Sequence, residues 1–318
     1  MPWLDAAITW FNGLWPENSW LAFDFNVRAL IAILLVALVC GAVGSLVVGN
    51  RMAFFSDALA HCAFAGLALG LLLALALSID DDEHFEQWKT VIMVVFGIGV
   101  GLLIAYVREK TSLASDTVIG VFFAGAVGLG GVFVKAGAGR RLFNLEQFIF
   151  GDPLLVTSSD LVILFLMVLL TGAFLVWMYN SLVLASFNPS LARSRRVPLR
   201  LSNYLFIALL GIVINLSLHI VGALLINALL IVPAATAAIL GRNMRQLFWT
   251  SIAITVGVGF LGLWLNWEIL TLSRRLGRPF EIGIGGTIVV LAVLMFTLAM
   301  VLSPRFRQGR PALSRHPE

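Results

Sequence analysis

Asp57 and His61 stand four residues apart in Arg51-Met-Ala-Phe-Phe-Ser-Asp57-Ala-Leu-Ala-His61-Cys62, at the head of an otherwise apolar run. In a helix that spacing puts both side chains on one face, one turn from each other. A carboxylate at the centre of a membrane helix costs about 2.5–3.5 kcal/mol even on the gentler insertion scales. A carboxylate oxygen beside an imidazole nitrogen is a natural donor set for zinc, manganese or iron. The same face continues through Ala65 and Ala68, small side chains that either admit a neighbouring helix or leave a narrow passage beside the ligands. A carboxylate–imidazole pair that merely locks two helices is the plainer alternative. Intramembrane ionisable residues more often line a pathway, and that reading is preferred.

The surrounding chain is a membrane protein. Hydrophobic residues make up 60% of its 318 and charged residues 12%. Soluble domains run nearer to about 45–50% and about 25%. The apolar runs are long and lack period-two alternation, which predicts an all-α polytopic fold and excludes an outer-membrane barrel. Runs of spanning length fall near 27–49, 54–78, 90–107, 116–135, 160–180, 203–220, 222–240, 247–267 and 284–302, giving eight to nine transmembrane helices. Residues 203–220 and 222–240 nearly touch and read either as a tight hairpin or as one long broken helix. A short re-entrant piece is possible within 142–156.

Three regions follow: an N-terminal interfacial segment 1–26, a transmembrane domain 27–302 and a cytoplasmic tail 303–318. Trp3, Trp10, Trp15 and Trp20 suit a segment resting at the membrane–water boundary. No basic leader with a small-residue cleavage site precedes them, so no signal peptide is expected. With the N-terminus outside, thirteen Lys and Arg fall in loops and tail on the cytoplasmic side against seven opposite, with Arg28 uncounted. That asymmetry favours N-out and C-in, and it sends the acidic run Asp80-Asp81-Asp82-Glu83-His84 outward.

Some functions are excluded. The basic residues are scattered over loops, so the formal charge of +4 is no nucleic-acid signal. Cys40 and Cys62 lie inside apolar runs and read as core packing. No Gly-x-x-x-x-Gly-Lys-[Ser/Thr] loop is present to cradle nucleotide phosphates, so any ATP-driven work falls to a separate subunit.

Three further segments carry candidate function. In Val221-Gly222-Ala-Leu-Leu-Ile-Asn227-Ala-Leu-Leu-Ile-Val-Pro233-Ala-Ala-Thr236, the proline frees an upstream carbonyl while the alanines and Thr236 permit close packing. Broken helices beside small residues are typical of transporter cores, and a kinked packing helix is the equal alternative. Asn227 serves either as a pathway dipole or as an interhelical hydrogen-bond partner, the second being preferred; His219 reads as interfacial. The loop from Ser186 to Arg200 holds Asn188, Pro189, Leu191, Arg195 and Arg196. Its Asn-Pro/Val-Pro framing suits a short helix that docks into a partner's groove, whereas ordinary positive-inside topology alone explains the cations. Glu281, before Gly283-Ile-Gly285-Gly286-Thr287, either reaches a pore mouth or is an ordinary exposed loop carboxylate, the second being preferred on position alone.

Together these runs resemble the permease subunits of the zinc/manganese/iron family of ATP-binding-cassette importers. Arg51 to His61 is similar to that family's RRMAFxGDALSHA, Asp116 to Val121 to DTxIGI, and Phe150 to Leu161 to FGDxLxVSxxDL. Asn188 to Val197 resembles DPELARAxGV, Val221 to Ala237 resembles VGALLVxALLIxPAATA, and Gly285 to Val289 the terminal DxPSGxTIV. Ser56 replaces the usual glycine, Asn188 and Ser190 replace acidic residues, and Arg196 replaces a glycine. Glu281 falls where the family has its loop aspartate.

The resemblance implies a permease in the bacterial cytoplasmic membrane, paired with a second copy or sister permease. It would receive metal from an extracytoplasmic binding protein and be driven by ATPase subunits docked at 187–200. Membrane lipid completes its surroundings, and nucleic acid has no part. No cofactor is expected to stay bound; the metal is cargo, with zinc first and manganese or iron next. An intramembrane metalloprotease lacks its His-Glu-x-x-His helix here. A proton-coupled secondary metal carrier is the alternative, since it too uses intramembrane Asp and His.

Glu281→Gln is expected to weaken metal uptake, while neutralising Asp80, Asp81 and Asp82 together changes it little, because exposed charges are screened beyond about 8 Å at physiological salt. Uptake assays on the two variants decide it. Equal losses would mean diffuse collection of cations, with no specific ligand at 281.

Overall fold

The structure, a computed structural model, describes residues 2–16, 19–76, 82–137, 151–187, 199–277 and 282–303. Among them the chain forms ten α-helices: α1 Pro2–Asn12, α2 Asp24–Gly49, α3 Ala53–Ala76, α4 Asp82–Lys110, α5 Ser115–Gly137, α6 Ser158–Phe187, α7 Leu199–Val221, α8 Ala223–Leu240, α9 Met244–Arg275 and α10 Ile284–Leu302. All but α1 contain a stretch long and apolar enough to cross a membrane, which makes nine candidate spans. The segments expected from hydropathy are these nine helices.

The junction between 203–220 and 222–240 is a break of one residue. Gly222 adopts φ 84 and ψ 159, a backbone region closed to side chains with a Cβ, so α7 stops and α8 starts afresh. Gly151 lies directly against this break. It too has positive φ, and a Cβ there would stand 2.3 Å from the Val221 carbonyl. The described part of 142–156 contains only a short 3₁₀ turn, Pro153–Leu155, started by the Asp152 carboxylate accepting from the Leu154 amide.

Two groups of helices pack chiefly within themselves. One is α2 with α8, α9 and α10; the other is α3 with α4, α5 and α7; α6 bridges α2 and α7. Small residues set both. A Cβ on Gly44 of α2 would lie 2.1 Å from the Leu230 carbonyl oxygen of α8, and one on Gly41 2.7 Å from the Ile252 Cα of α9. Ser251 fastens that second crossing by donating its hydroxyl to the Gly41 carbonyl at 2.8 Å. In the other group Gly66 of α3 meets Met93 of α4, and Gly130 of α5 meets Phe64 and Ala65 of α3. Apolar burial drives little helix association in lipid, so this close backbone approach is what holds the groups.

Polar links fix the ends. The Asp5 carboxylate of α1 accepts from Ser158 of α6 and pairs with Arg28 of α2 at 2.9 Å. The Ser158 hydrogen bond, foremost, holds the Asp5 carboxyl below its ordinary range. Trp3 and Trp10 stay exposed on α1 while Ile8 is buried. At the opposite end of α4, Glu109 pairs with Arg200 at 2.6 Å and accepts from the Tyr204 hydroxyl at 3.1 Å, both on α7. The turn from α2 into α3 is tight: Arg51 sits in the left-handed region at φ 56, and Asn50 returns its side chain to the Leu46 carbonyl.

Gly44→Ala is expected to lower the stability of the detergent-solubilised protein by about 1–3 kcal/mol, the ordinary cost of overpacking. Gly257→Ala, where an added Cβ meets nothing within 4 Å, is expected to be neutral. Thermal unfolding of the two variants checks this, and equal melting temperatures would refute the close crossing of α2 and α8.

Candidate metal pathway

Asp57 lies one turn into α3, just after the tight turn at Asn50–Met52, and His61 follows one turn later. Both side chains are half-open, Asp57 at 43% and His61 at 42% exposure. The flanking positions Ala58, Leu59, Ala60 and Cys62 are buried. The helix therefore turns its two titratable groups outward and packs the apolar residues that flank them. Phe54, 70% exposed, lies on the same side of α3 as Asp57.

The geometry defines which atoms are offered. His61 Nδ1 lies 3.0 Å from the Asp57 backbone carbonyl oxygen and 3.7 Å from its carboxylate Oδ1. A carbonyl oxygen only accepts, so Nδ1 is the donor in that contact, which in a neutral ring leaves the lone pair on Nε2. The ring is steadied by Phe123 of α5, edge-on at 4.9 Å between centroids and 61° between planes. The Asp57 carboxylate is held from the other helix group: Asn227 of α8 donates its Nδ2 to Asp57 Oδ1 at 2.6 Å.

Ala65 and Ala68 are fully buried, and Gly130 of α5 presses on Ala65. Of the two roles open to these alanines, the structure takes close helix packing, with no passage along that stripe. Pro233 and Thr236 are buried in α8, and Thr236 returns its hydroxyl to the Val232 carbonyl at 2.8 Å. Asn227 is thus the one of these three that meets the Asp57/His61 pair. Cys40 and Cys62 are both buried and free. Among the described residues no three of His, Cys, Asp and Glu gather as a closed metal cluster. Glu281 and the loop residues Asn188, Pro189, Leu191, Arg195 and Arg196 lie outside the described residues, as does the His219 side chain.

Two contributors escaped sequence reasoning. Phe123 is one aromatic among many apolar neighbours, and nothing in its spacing announces the histidine it touches. Asn266 of α9, 3% exposed, donates to the Ile282 carbonyl at 2.9 Å and to the Thr287 hydroxyl at 3.2 Å. It ties α9 to the backbone next to Glu281. A lone amide in an apolar helix was the available signal.

The fold defines a polytopic helical membrane protein with a half-open carboxylate–imidazole pair inside one of its spans. The sequence profile of the ABC 3 transport family matches residues 22–303, and the chain belongs to that family. It is 28% identical over 294 residues to the manganese import system permease protein ScaB of Streptococcus parasanguinis, covering 92% of this chain and 96% of that one. It is 26% identical over 285 residues to the manganese transport system membrane protein MntC of Halalkalibacterium halodurans, covering 90% and 89% respectively. Among solved structures, PsaBC from Streptococcus pneumoniae in complex with Fab matches with a TM-score of 0.72 at 26% identity, over 90% of this chain and 94% of that chain.

Proposed function

We propose that this chain is the permease subunit of an ATP-driven importer that carries a divalent transition metal into the cytoplasm. The observation that carries the reading is the pair Asp57 and His61, an oxygen and a nitrogen donor left half-open on a membrane helix of a family permease. Two donors on one helix face bind a metal loosely. A transit site must also release its ion, so an incomplete donor set suits conduction.

The relatives change the order of metals. The Asp/His donor set alone favoured zinc narrowly, whereas the two relatives named above are a manganese import permease and a membrane protein of a manganese transport system. Manganese accordingly takes first place as cargo, with zinc and iron after it. An oxygen-and-imidazole set accommodates all three, and affinity alone does not separate them.

Membership in the ABC family brings an ATPase and a partner permease, and an extracytoplasmic binding protein delivers the metal. The N-terminus is outside and the C-terminus cytoplasmic, in a bacterial plasma membrane. ATPase docking falls at 187–200, directly before α7. The start of α7 is anchored on the end of α4 by Glu109 with Arg200 and Tyr204. A displacement applied at that loop thus reaches α4, and through α4 reaches α3 and Asp57. Rocking of one helix group against the other alternates access.

Asp57→Asn and His61→Ala are each expected to abolish metal uptake in a metal-limited strain, with membrane insertion and ATPase binding intact. Normal uptake by both would leave the pair a purely structural lock. A second test concerns coupling. Leu191→Asp combined with Arg195→Glu removes an apolar anchor worth about 1.5–3 kcal/mol of burial and reverses a neighbouring charge. ATPase co-purification and uptake are expected to disappear while the permease stays inserted. Retained uptake in that double variant would favour the proton-coupled secondary carrier.

A further inference from the structure

Asn227 has an atom that its observed partner does not explain. Its Nδ2 donates to Asp57 Oδ1 at 2.6 Å, but its own Oδ1 is buried without a hydrogen-bond partner. The amide orientation itself is fixed by chemistry: reversing it would set two oxygens face to face, one of them on a carboxylate. The price of that orientation is an amide oxygen withdrawn from water beside the candidate metal donors.

We propose that Asn227 is a third ligand of the transit site, supplying its amide oxygen to the metal and tilting the site towards manganese over zinc. The proposal rests on the reading of Asp57 and His61 as transit ligands. In the empty site the amide N–H holds the carboxylate. A divalent cation arriving at Asp57 replaces that N–H as the partner of the carboxylate. Half a turn about the Asn227 Cβ–Cγ bond then exchanges nitrogen and oxygen, a motion for which the terminal torsion is broad and two-fold.

The exchange leaves the oxygen where the nitrogen was, 2.6 Å from Asp57 Oδ1. Metal–oxygen bonds of about 2.0–2.2 Å place neighbouring ligand oxygens roughly 3 Å apart, so a few tenths of an ångström of adjustment completes the geometry. His61 supplies the nitrogen once its ring turns, because in the empty site Nδ1, and not Nε2, faces Asp57. The donor set becomes two oxygens and one nitrogen. Carboxylate and carbonyl oxygens suit manganese, whereas imidazole suits zinc, so the added amide oxygen moves the balance to the harder ion.

The test uses the permease assembled with its ATPase. Mn²⁺ and Zn²⁺ binding to the purified complex are measured beside uptake of each ion into proteoliposomes. Asn227→Ala is expected to weaken Mn²⁺ binding about tenfold, the order seen when a partner in a metal's coordination shells is lost, while Zn²⁺ falls much less. The Mn²⁺ to Zn²⁺ ratio therefore drops. Asn227→Asp keeps an oxygen at the position but cannot donate to Asp57, so it is expected to retain the ratio. A residue that only positions Asp57 would behave differently: both ions would weaken equally in Asn227→Ala, and Asn227→Asp would be as impaired. Either result overturns the proposal, and Asn227→Asp alone decides it if Asn227→Ala does not assemble. Asp57→Asn is run in parallel. If it still transports metal, the pathway reading itself fails and this proposal with it; if it does not, an unchanged ratio in Asn227→Ala overturns the role of Asn227 alone.

Discussion

The hydrogen bond from Asn227 to Asp57 joins two helix groups that otherwise pack chiefly within themselves. It crosses from α8 to α3, and it holds a carboxylate that lipid would penalise heavily if left alone. The rest of the arrangement is built to deliver these two residues to one another. Gly44 and Gly41 let α8 and α9 close onto α2, which fixes α8. Gly66 and Gly130 do the same for α4 and α5 on α3. The tight turn after α2, with Arg51 in the left-handed region, then brings Asp57 out one turn into α3.

A membrane protein cannot rely on apolar burial to bring helices together, because its surroundings are equally apolar. What remains is close packing and a few polar bonds. This division explains why the residues around Asp57 and His61 behave oppositely. Ala58, Ala60, Ala65 and Ala68 are buried, Ala65 beneath Gly130 of α5, while Asp57 and His61 look out from the remaining arc of the helix. The break at Gly222 belongs to the same logic. It restarts the chain as α8 five residues before Asn227, so that the amide enters the junction from the first turns of a new helix.

Much of this was legible in the sequence. All nine spans were, because each is a long apolar run and hydropathy reports such runs directly. Asp57 and His61 were legible because charge in an apolar run stands out, and their four-residue spacing fixes a shared face in any helix. The partner of Asp57 was not, since Asn227 lies 170 positions away and only packing decides which helix α8 faces. The alanines after His61 were ambiguous for the same reason: small residues permit both a packed helix and an open path, and Gly130 on a different helix settles the matter. Phe123 was invisible because an aromatic among apolar neighbours carries no mark of what it touches. Thr236 attracted notice as a polar group near a proline, yet its hydroxyl is satisfied within its own helix, as threonines in apolar helices often are.

If Asn227 joins Asp57 and His61 as proposed, the division of donors between the two groups bears on how a transit site can both take and release an ion. Asp57 and His61 move with α3, and Asn227 moves with α8. A site assembled on one rigid helix would hold its ligands at fixed separation and bind with the same strength at every stage of transport. A site that straddles a junction loses a partner when the groups shift, and its grip on the ion falls with no change of protonation and no unfolding. In the empty site the Asn227–Asp57 hydrogen bond at 2.6 Å spans that junction. Glu109, Arg200 and Tyr204 couple α7 to α4 at the far end of the same group, where a stroke on the loop before α7 would be felt first. Position alone thus connects the place where force would enter with the junction between Asp57 and Asn227.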